Sequence, residues 1–332
     1  MHAAVVRSFD RSPRYETFQT PVPSGEHEIA VDVLAAGLHP RVRSGASGSH
    51  YTSNEALPLI PGIDGVGRSD EGQLLYFVAL DGGLGTMAER TVIDRRRAVV
   101  LPADTDVPAI AAAMNPGMSS WVALRRRIPF EEGQKVLVLG ATGNAGQMAV
   151  QIAKFLGAGY VSAAGRNAER LAELTSRGAD EIVSLTGEDD EIARALAVPG
   201  ADVDVVIDYL WGAMTELAIP ALVKNRTERN KPLWWIQIGS MAGATIALPS
   251  AALRAANLHL LGSGQGSITT AGIVAELPEL AAQITAGAFK VNPVPTSLSD
   301  VESAWEAPIA PGQRIVFVTG AVAKATTGIE PV

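Results

Sequence analysis

The sequence predicts an α/β protein in two parts, one β-rich and irregular, the other a doubly wound parallel sheet. Three observations carry this. From about residue 117 to 265, short apolar runs alternate with helical stretches, the texture of strands joined by crossover helices. Residues 1 to about 115 show β-type runs punctuated by Pro and Gly instead. At 332 residues the chain is longer than one ordinary domain and can bury sizeable cores.

Taken in order, 27–34, 74–80 and 89–101 read as strands of the first part. Residues 135–139, 160–164, 181–185, 203–210, 233–238 and 258–261 read as six strands of a parallel sheet. A helix near 273–286 and a last strand at 314–318 follow. Arg125-Arg126-Arg127, close to Trp121 and Leu124, reads as a solvated helix end, and the polar segment 224–232 as a mobile surface loop.

The chemistry-bearing stretch is Gly140-Ala141-Thr142-Gly143-Asn144-Ala145-Gly146, after the apolar run 136–139 and before a helix. Ala145, Met148, Ala149, Ile152 and Leu156 share one helical face, and Gly157 supplies a stop. In the spacing G-x-G-x-x-G, Ala141 takes the first position, Gly143 the second and Gly146 the third. A glycine turn running from strand into helix offers unpaired N–H groups and a partial positive charge to a dinucleotide phosphate. The next strand ends in Gly165-Arg166-Asn167, where an acidic residue would hold a ribose 2′-hydroxyl. An acid would repel a 2′-phosphate, whereas an arginine binds it. The expected cofactor is NADP(H), with Arg166 on the 2′-phosphate and Asn167 and Lys154 as helpers. Gly239-Ser240 and Gly262-Ser263, at the carboxyl ends of the fifth and sixth strands, are expected along the nicotinamide.

Net charge is −8, and no block of like charge suggests a nucleic-acid or membrane tail. No apolar run approaches membrane-spanning length, and the opening MHAAVVRSFD lacks a signal-peptide core. Cysteine is absent, which removes disulfides, thiolate catalysis and cysteine-bound zinc, and is compatible with a reducing cytoplasm.

Several segments, in this order along the chain, resemble the zinc-independent, quinone-oxidoreductase-like branch of the medium-chain dehydrogenase/reductase superfamily. They are Ala35-Ala-Gly-Leu-His39-Pro40, Leu59-Ile-Pro61-Gly62-Ile-Asp64-Gly65-Val-Gly67, Ala112-Ala-Met-Asn-Pro-Gly117-Met-Ser119-Ser120, the glycine turn, Val203-Asp-Val-Val-Ile-Asp208 and Gln313-Arg-Ile-Val-Phe-Val. The resemblance implies a GroES-like β-rich catalytic domain of residues 1–115 and 268–332, with a Rossmann NADP(H)-binding domain of residues 116–267 inserted. Zinc-dependent relatives carry ligands where this chain has His39, Ile63 and a position near Asn115; one possible ligand of three remains, so no metal is expected.

Without a metal, the implied acceptor is a quinone or an α,β-unsaturated carbonyl, in which negative charge is delocalised onto oxygen. Hydride transfer then needs positioning and a donor for the developing enolate. Candidate donors are Tyr51, in the loop matching the family's substrate-side tyrosine region, His39, Ser119 and Ser120. Ser119 corresponds by motif to a nicotinamide-side threonine. His39 is either a satisfied polar residue of the cleft wall or a group ordering substrate or nicotinamide; Asp64 reads as a backbone-fixing residue. Two other readings stand beside the reductase: a dedicated enoyl reductase on a carrier-borne intermediate, and an NADPH-binding sensor with little turnover. The expected partners are a small carbonyl or quinone substrate and a second copy of the chain, in the cytoplasm, with no nucleic acid and no membrane.

Overall fold

Apolar strand sequences set the topology of the molecule. A computed structural model describes residues 1–322 apart from 51, 52, 54, 55, 80, 81, 83, 311 and 321. They fall into two units. One comprises Met1–Asn115, Leu277–Gly287 and the chain from Val291 onward; the other comprises Pro116–Glu276 and Ala288–Lys290. Among the described residues, no helix is long and apolar enough to cross a membrane.

The second unit is a six-stranded sheet of Lys135–Leu139, Tyr160–Gly165, Glu181–Ser184, Val205–Asp208, Leu233–Gln237 and Leu258–Gly262. All pairings are parallel. Numbered along the chain, their spatial order is third, second, first, fourth, fifth, sixth. Val136 to Leu139 are all essentially fully buried, as expected where helices cover both faces of a parallel sheet. Leu137, Leu139, Val206, Leu222 and Trp235 belong to one core cluster. Because the order reverses between the first and fourth strands, a crevice opens at their carboxyl ends.

In the first unit, Glu28–Gly37 pairs antiparallel with Asp64–Ser69, Arg90–Asp94 and Gln313–Val318, so a C-terminal strand completes an N-terminal sheet. Val31, Val33, Leu75, Phe77 and Ile93 form one of its cores.

Four expectations are corrected. The run 89–101 is two strands, Arg90–Asp94 and Ala98–Val100, because Asp94 accepts from the Arg96 N–H (2.9 Å) and caps a 3₁₀ turn between them. The helix near 273–286 is two helices, Thr270–Val274 and Leu277–Thr285, parted at Glu276. Arg125-Arg126-Arg127 forms the expected helix end as a π-helical turn, Ala123–Arg127, with Arg125 and Arg126 exposed. Glu276 is buried and accepts from Trp121 Nε1 (3.0 Å), Arg125 Nε (2.6 Å) and Arg126 Nε (2.5 Å), while Arg127 Nε donates to the Gly262 carbonyl (2.8 Å). These bonds carry residues 268–276 with the second unit, past the expected boundary after 267. The segment 224–232 is anchored by buried Arg226, which donates to the carbonyls of Val203 (2.5 Å), Lys231 (3.0 Å) and Pro232 (3.3 Å).

Candidate functional site

The glycine turn is built by sterics. Gly140 has φ of 86°, a left-handed conformation that suits glycine. A Cβ on Gly146 would lie 2.3 Å from the Gly140 carbonyl oxygen, so only glycine lets helix Asn144–Phe155 sit this close to the strand. A Cβ on Gly143 would meet nothing nearer than 3.6 Å. Gly143 is the N-cap and, having no side chain, supplies no cap to the helix. Gly165 is required by Thr142, whose Cγ2 would lie 2.6 Å from a Cβ. The turn thus keeps clear the room an anion needs.

Beyond Gly165 the side chains differ in availability. Arg166 is exposed and makes no hydrogen bond or ion pair with a described residue. Asn167 caps helix Ala168–Thr175, its Oδ1 accepting from Arg170 N–H (3.0 Å). Lys154 is not available as a helper. It sits in the last turn of its helix, far from the glycine turn, and pairs with Asp180 (2.5 Å). Sequence reading missed Arg170. Its guanidinium donates to the Thr142 carbonyl, its Nε is buried without a partner, and burial lowers its pKa. Gln147 Nε2 donates to the same carbonyl (3.3 Å), and Arg177 donates to Gln147 Oε1 (2.9 Å). A chain of cationic and amide groups therefore braces the turn from behind.

Further along the same sheet edge, the fourth strand ends at Asp208. Its carboxylate accepts from Leu210 N–H (2.8 Å), Trp211 N–H (3.0 Å), Thr215 Oγ1 (2.6 Å) and Trp235 Nε1 (3.0 Å). This over-determined turn holds Trp211 at φ 53°, a conformation rare for a bulky side chain. Tyr209 is wedged between two glycines: a Cβ on Gly140 would lie 3.3 Å from its Cβ, and one on Gly239 would lie 2.7 Å from its carbonyl oxygen. Its hydroxyl lies 2.9 Å from Ser119 Oγ, and burial pushes its pKa up to about 12. Ser119 Oγ donates to the Pro116 carbonyl (2.7 Å) and Ser120 Oγ to that of Gly117 (3.3 Å), and both serines also hydrogen-bond with the Tyr209 hydroxyl. Gly239, Ser240, Gly262 and Ser263 follow the fifth and sixth strands, with Ser263 N–H bound to the Gln237 carbonyl (2.9 Å).

In the first unit, His39 and Asp64 are both buried, with His39 Nε2 3.2 Å from Asp64 Oδ1. Tyr76 donates its hydroxyl to Asp64 Oδ2 (3.0 Å), and Thr86 Oγ1 donates to the Asp64 carbonyl (2.7 Å). Asp64 so fixes backbone and side chains together. Burial lowers the His39 pKa, and its Nδ1 has no partner. Arg314 is buried nearby, its pKa pushed down to about 10 by burial, with Nε and one terminal nitrogen unpartnered. Ile63 offers no ligand atom, and no group of three or more His, Cys, Asp or Glu capable of holding a metal exists among the described residues. Tyr51 lies outside the described residues.

A family model described as "Zinc-binding dehydrogenase" matches residues 145–226, a stretch that contains none of positions 39, 63 and 115. Over 361 aligned residues the chain is 30% identical to a "Probable NADPH-dependent quinone reductase" of Emericella nidulans, covering 96% of this chain and 100% of that relative. The chain belongs to the medium-chain dehydrogenase/reductase superfamily, in its quinone-oxidoreductase-like branch. Prostaglandin reductase-3 of Bos taurus is 30% identical over 214 residues, which are 61% of this medium-chain reductase and 54% of the relative. A quinone oxidoreductase of Thermus thermophilus, solved with and without NADPH, superposes with TM-score 0.79 at 24% identity, over 96% of this chain and 100% of that one. That likeness shows the fold: a GroES-like β-rich domain and a Rossmann domain.

In this medium-chain reductase, the glycine turn and Arg166 were legible from spacing. Arg170 and Tyr209 were not. A helical arginine and a strand-end tyrosine carry no motif, and only the contact with Thr142 and the pairing with Ser119 single them out.

Proposed function

We propose that this protein is a zinc-independent oxidoreductase that passes hydride from NADPH to a quinone or an α,β-unsaturated carbonyl. The NADPH-dependent reduction of quinones and enones is the activity its family membership carries; zinc independence and the site assignments are our reading. One observation supports it above the others: the glycine turn into the helix that starts at Gly143 stands beside a strand end that carries no acid and Arg166, which is unpaired among the described residues. Gly140 to Gly146 would hold the pyrophosphate, Arg166 and Arg170 the 2′-phosphate, and Gly239-Ser240 and Gly262-Ser263 the nicotinamide side. When bound, NADPH supplies the hydride.

The residues present do not fit a catalytic zinc. His39 points one nitrogen at Asp64, Ile63 has no donor atom, and zinc needs three protein ligands. We assign the first unit, around His39 and Asp64, to the acceptor, and the second to the cofactor. The edge strand Leu258–Gly262, with half-buried leucines, supports a homodimer formed on this edge. The absence of cysteine favours the cytoplasm.

Steady-state NADPH oxidation with a panel of quinones and enones, with and without chelator, tests this reading. Turnover with several acceptors that chelator leaves intact is the expected outcome. Tight NADPH binding without turnover on any acceptor would favour a sensor, and activity lost with the metal would overturn zinc independence.

A further inference from the structure

Each arginine of the run Arg125-Arg126-Arg127 has a partner, but not the same one. Arg125 and Arg126 close on the buried Glu276 carboxylate through Nε (2.6 and 2.5 Å). Arg127 serves another segment: its Nε donates to the Gly262 carbonyl (2.8 Å) and its Nη1 to the Ser267 carbonyl (3.3 Å). The turn that carries it, Ala123–Arg127, is π-helical, a form frequent at functional sites.

Those two carbonyls bracket Gly262-Ser-Gly-Gln-Gly-Ser267, which follows the sixth strand. Three of its six residues are glycine, the residue with the most backbone freedom to lose on ordering. The segment is made of two locally bonded pieces. At the strand end, Ser263 N–H is held by the Gln237 carbonyl (2.9 Å). Residues 264–267 form a turn of their own, in which Ser267 N–H donates to the Gly264 carbonyl (3.1 Å) and Ser267 Oγ accepts from the Gly264 N–H (2.8 Å). Arg127 binds one carbonyl of each piece. A planar guanidinium with donors in fixed directions sets the angle between them, which a flexible ammonium does not.

We propose that Arg127 is a positioning residue that closes the loop 262–267 into the shape that holds the nicotinamide half of NADPH. It acts through the two loop carbonyls and not on the cofactor itself. The inference rests on the reading that Gly262-Ser263 lines the nicotinamide, so the affinity it supplies belongs to that half of the cofactor alone.

The test is calorimetric titration of the full chain with NADPH and with 2′,5′-ADP, which carries the adenosine and the 2′-phosphate but no nicotinamide. The wild type should bind NADPH the more tightly. Losing a charge-assisted hydrogen bond corresponds to about tenfold or more in affinity, so Arg127→Ala should weaken NADPH by that factor. It should leave 2′,5′-ADP unchanged, which also reports that the unit is still folded. Arg127→Lys keeps the charge without the fork and should recover only part of the loss. Gly264 joins the two pieces and is not left-handed, so Gly264→Ala added to Arg127→Ala should recover part as well, by leaving the free loop fewer states. Equal weakening of both ligands, NADPH affinity untouched by Arg127→Ala, complete recovery in Arg127→Lys, or a double variant no tighter than Arg127→Ala would each overturn the proposal. A wild type that binds NADPH and 2′,5′-ADP alike overturns this inference alone; one that binds neither overturns the cofactor reading beneath it.

Discussion

In the parallel-sheet unit, the candidate cofactor site is made of backbone: Gly140 with φ of 86°, Gly146 against a carbonyl oxygen, and a helix start with no side-chain cap. In the first unit the candidate centre is made of side chains, His39, Asp64, Tyr76 and Thr86, joined by hydrogen bonds and buried. A backbone site admits few residue types at fixed spacing, so it leaves a pattern in the sequence. A side-chain site draws on residues far apart in the chain, so His39 and Asp64 stood out singly while their pairing with Tyr76 and Thr86 left no pattern. The first is also open where the second is closed: Arg166 has no partner among the described residues, whereas every oxygen of the Asp64 carboxylate and carbonyl is engaged.

The sharpest way to break the contrast is to add one carbon at each glycine. Gly146→Val should cost about 3 kcal/mol or more of stability through overpacking against Gly140, and abolish NADPH binding. Gly143→Ala, with nothing nearer than 3.6 Å, should leave the urea midpoint almost unchanged and still weaken NADPH about tenfold or more, by about 1.4 kcal/mol per decade. Equal stability losses in the two variants would mean that Gly143 serves packing and not a ligand.

On the side-chain site, Asp64→Ala should destabilise the fold by about 3 kcal/mol, because His39 and Tyr76 are left buried without their acceptor. Cofactor affinity should barely change. An unmoved denaturation midpoint would show that the network is not a stabilising one.

Arg166→Ala should weaken NADPH about 10- to 100-fold and leave NADH unchanged, since a charge-assisted hydrogen bond is worth about 1.5–3 kcal/mol. Arg170→Ala should weaken both cofactors in addition, because Arg170 also braces the Thr142 carbonyl. Parallel losses of NADPH and NADH in Arg166→Ala would remove Arg166 from the 2′-phosphate.

The smallest expected effect is on pH dependence. Burial lowers the His39 pKa in the folded protein, so the unfolded chain binds more protons just below the usual histidine range. Stability is therefore full above about pH 6.5 and declines as the pH falls below it. His50, pushed down to about 4 by burial, adds to the same slope. His39→Gln should flatten the curve of unfolding free energy between pH 6.5 and 5; an unchanged slope would show that His39 is not the group responsible.

The parallel sheet was almost fully legible, strand by strand, because apolar runs such as 136–139 admit one environment. What failed was local side-chain competition. The helix 273–286 breaks where Glu276 leaves it to meet Trp121, Arg125 and Arg126, a tertiary contact across some 150 residues of sequence separation. The partners of the arginine run were hidden for the same reason: they are remote in the chain. At the candidate site, Gly143, Gly146 and Arg166 carried spacing signals, but the meeting of Ser119 with Tyr209 across 90 residues is visible only in three dimensions.

The central claim is hydride transfer from NADPH to an activated carbon, and isotope transfer tests it most directly. The protein is incubated with NADPH deuterated at the transferring position of the nicotinamide and a non-exchanging enone, and the product is analysed by mass spectrometry and NMR. The account predicts one deuterium on the carbon β to the carbonyl for each NADPH oxidised, unchanged by chelator. NADPH that binds but yields no deuterium in the product of any enone, and is not oxidised by any quinone, would contradict it.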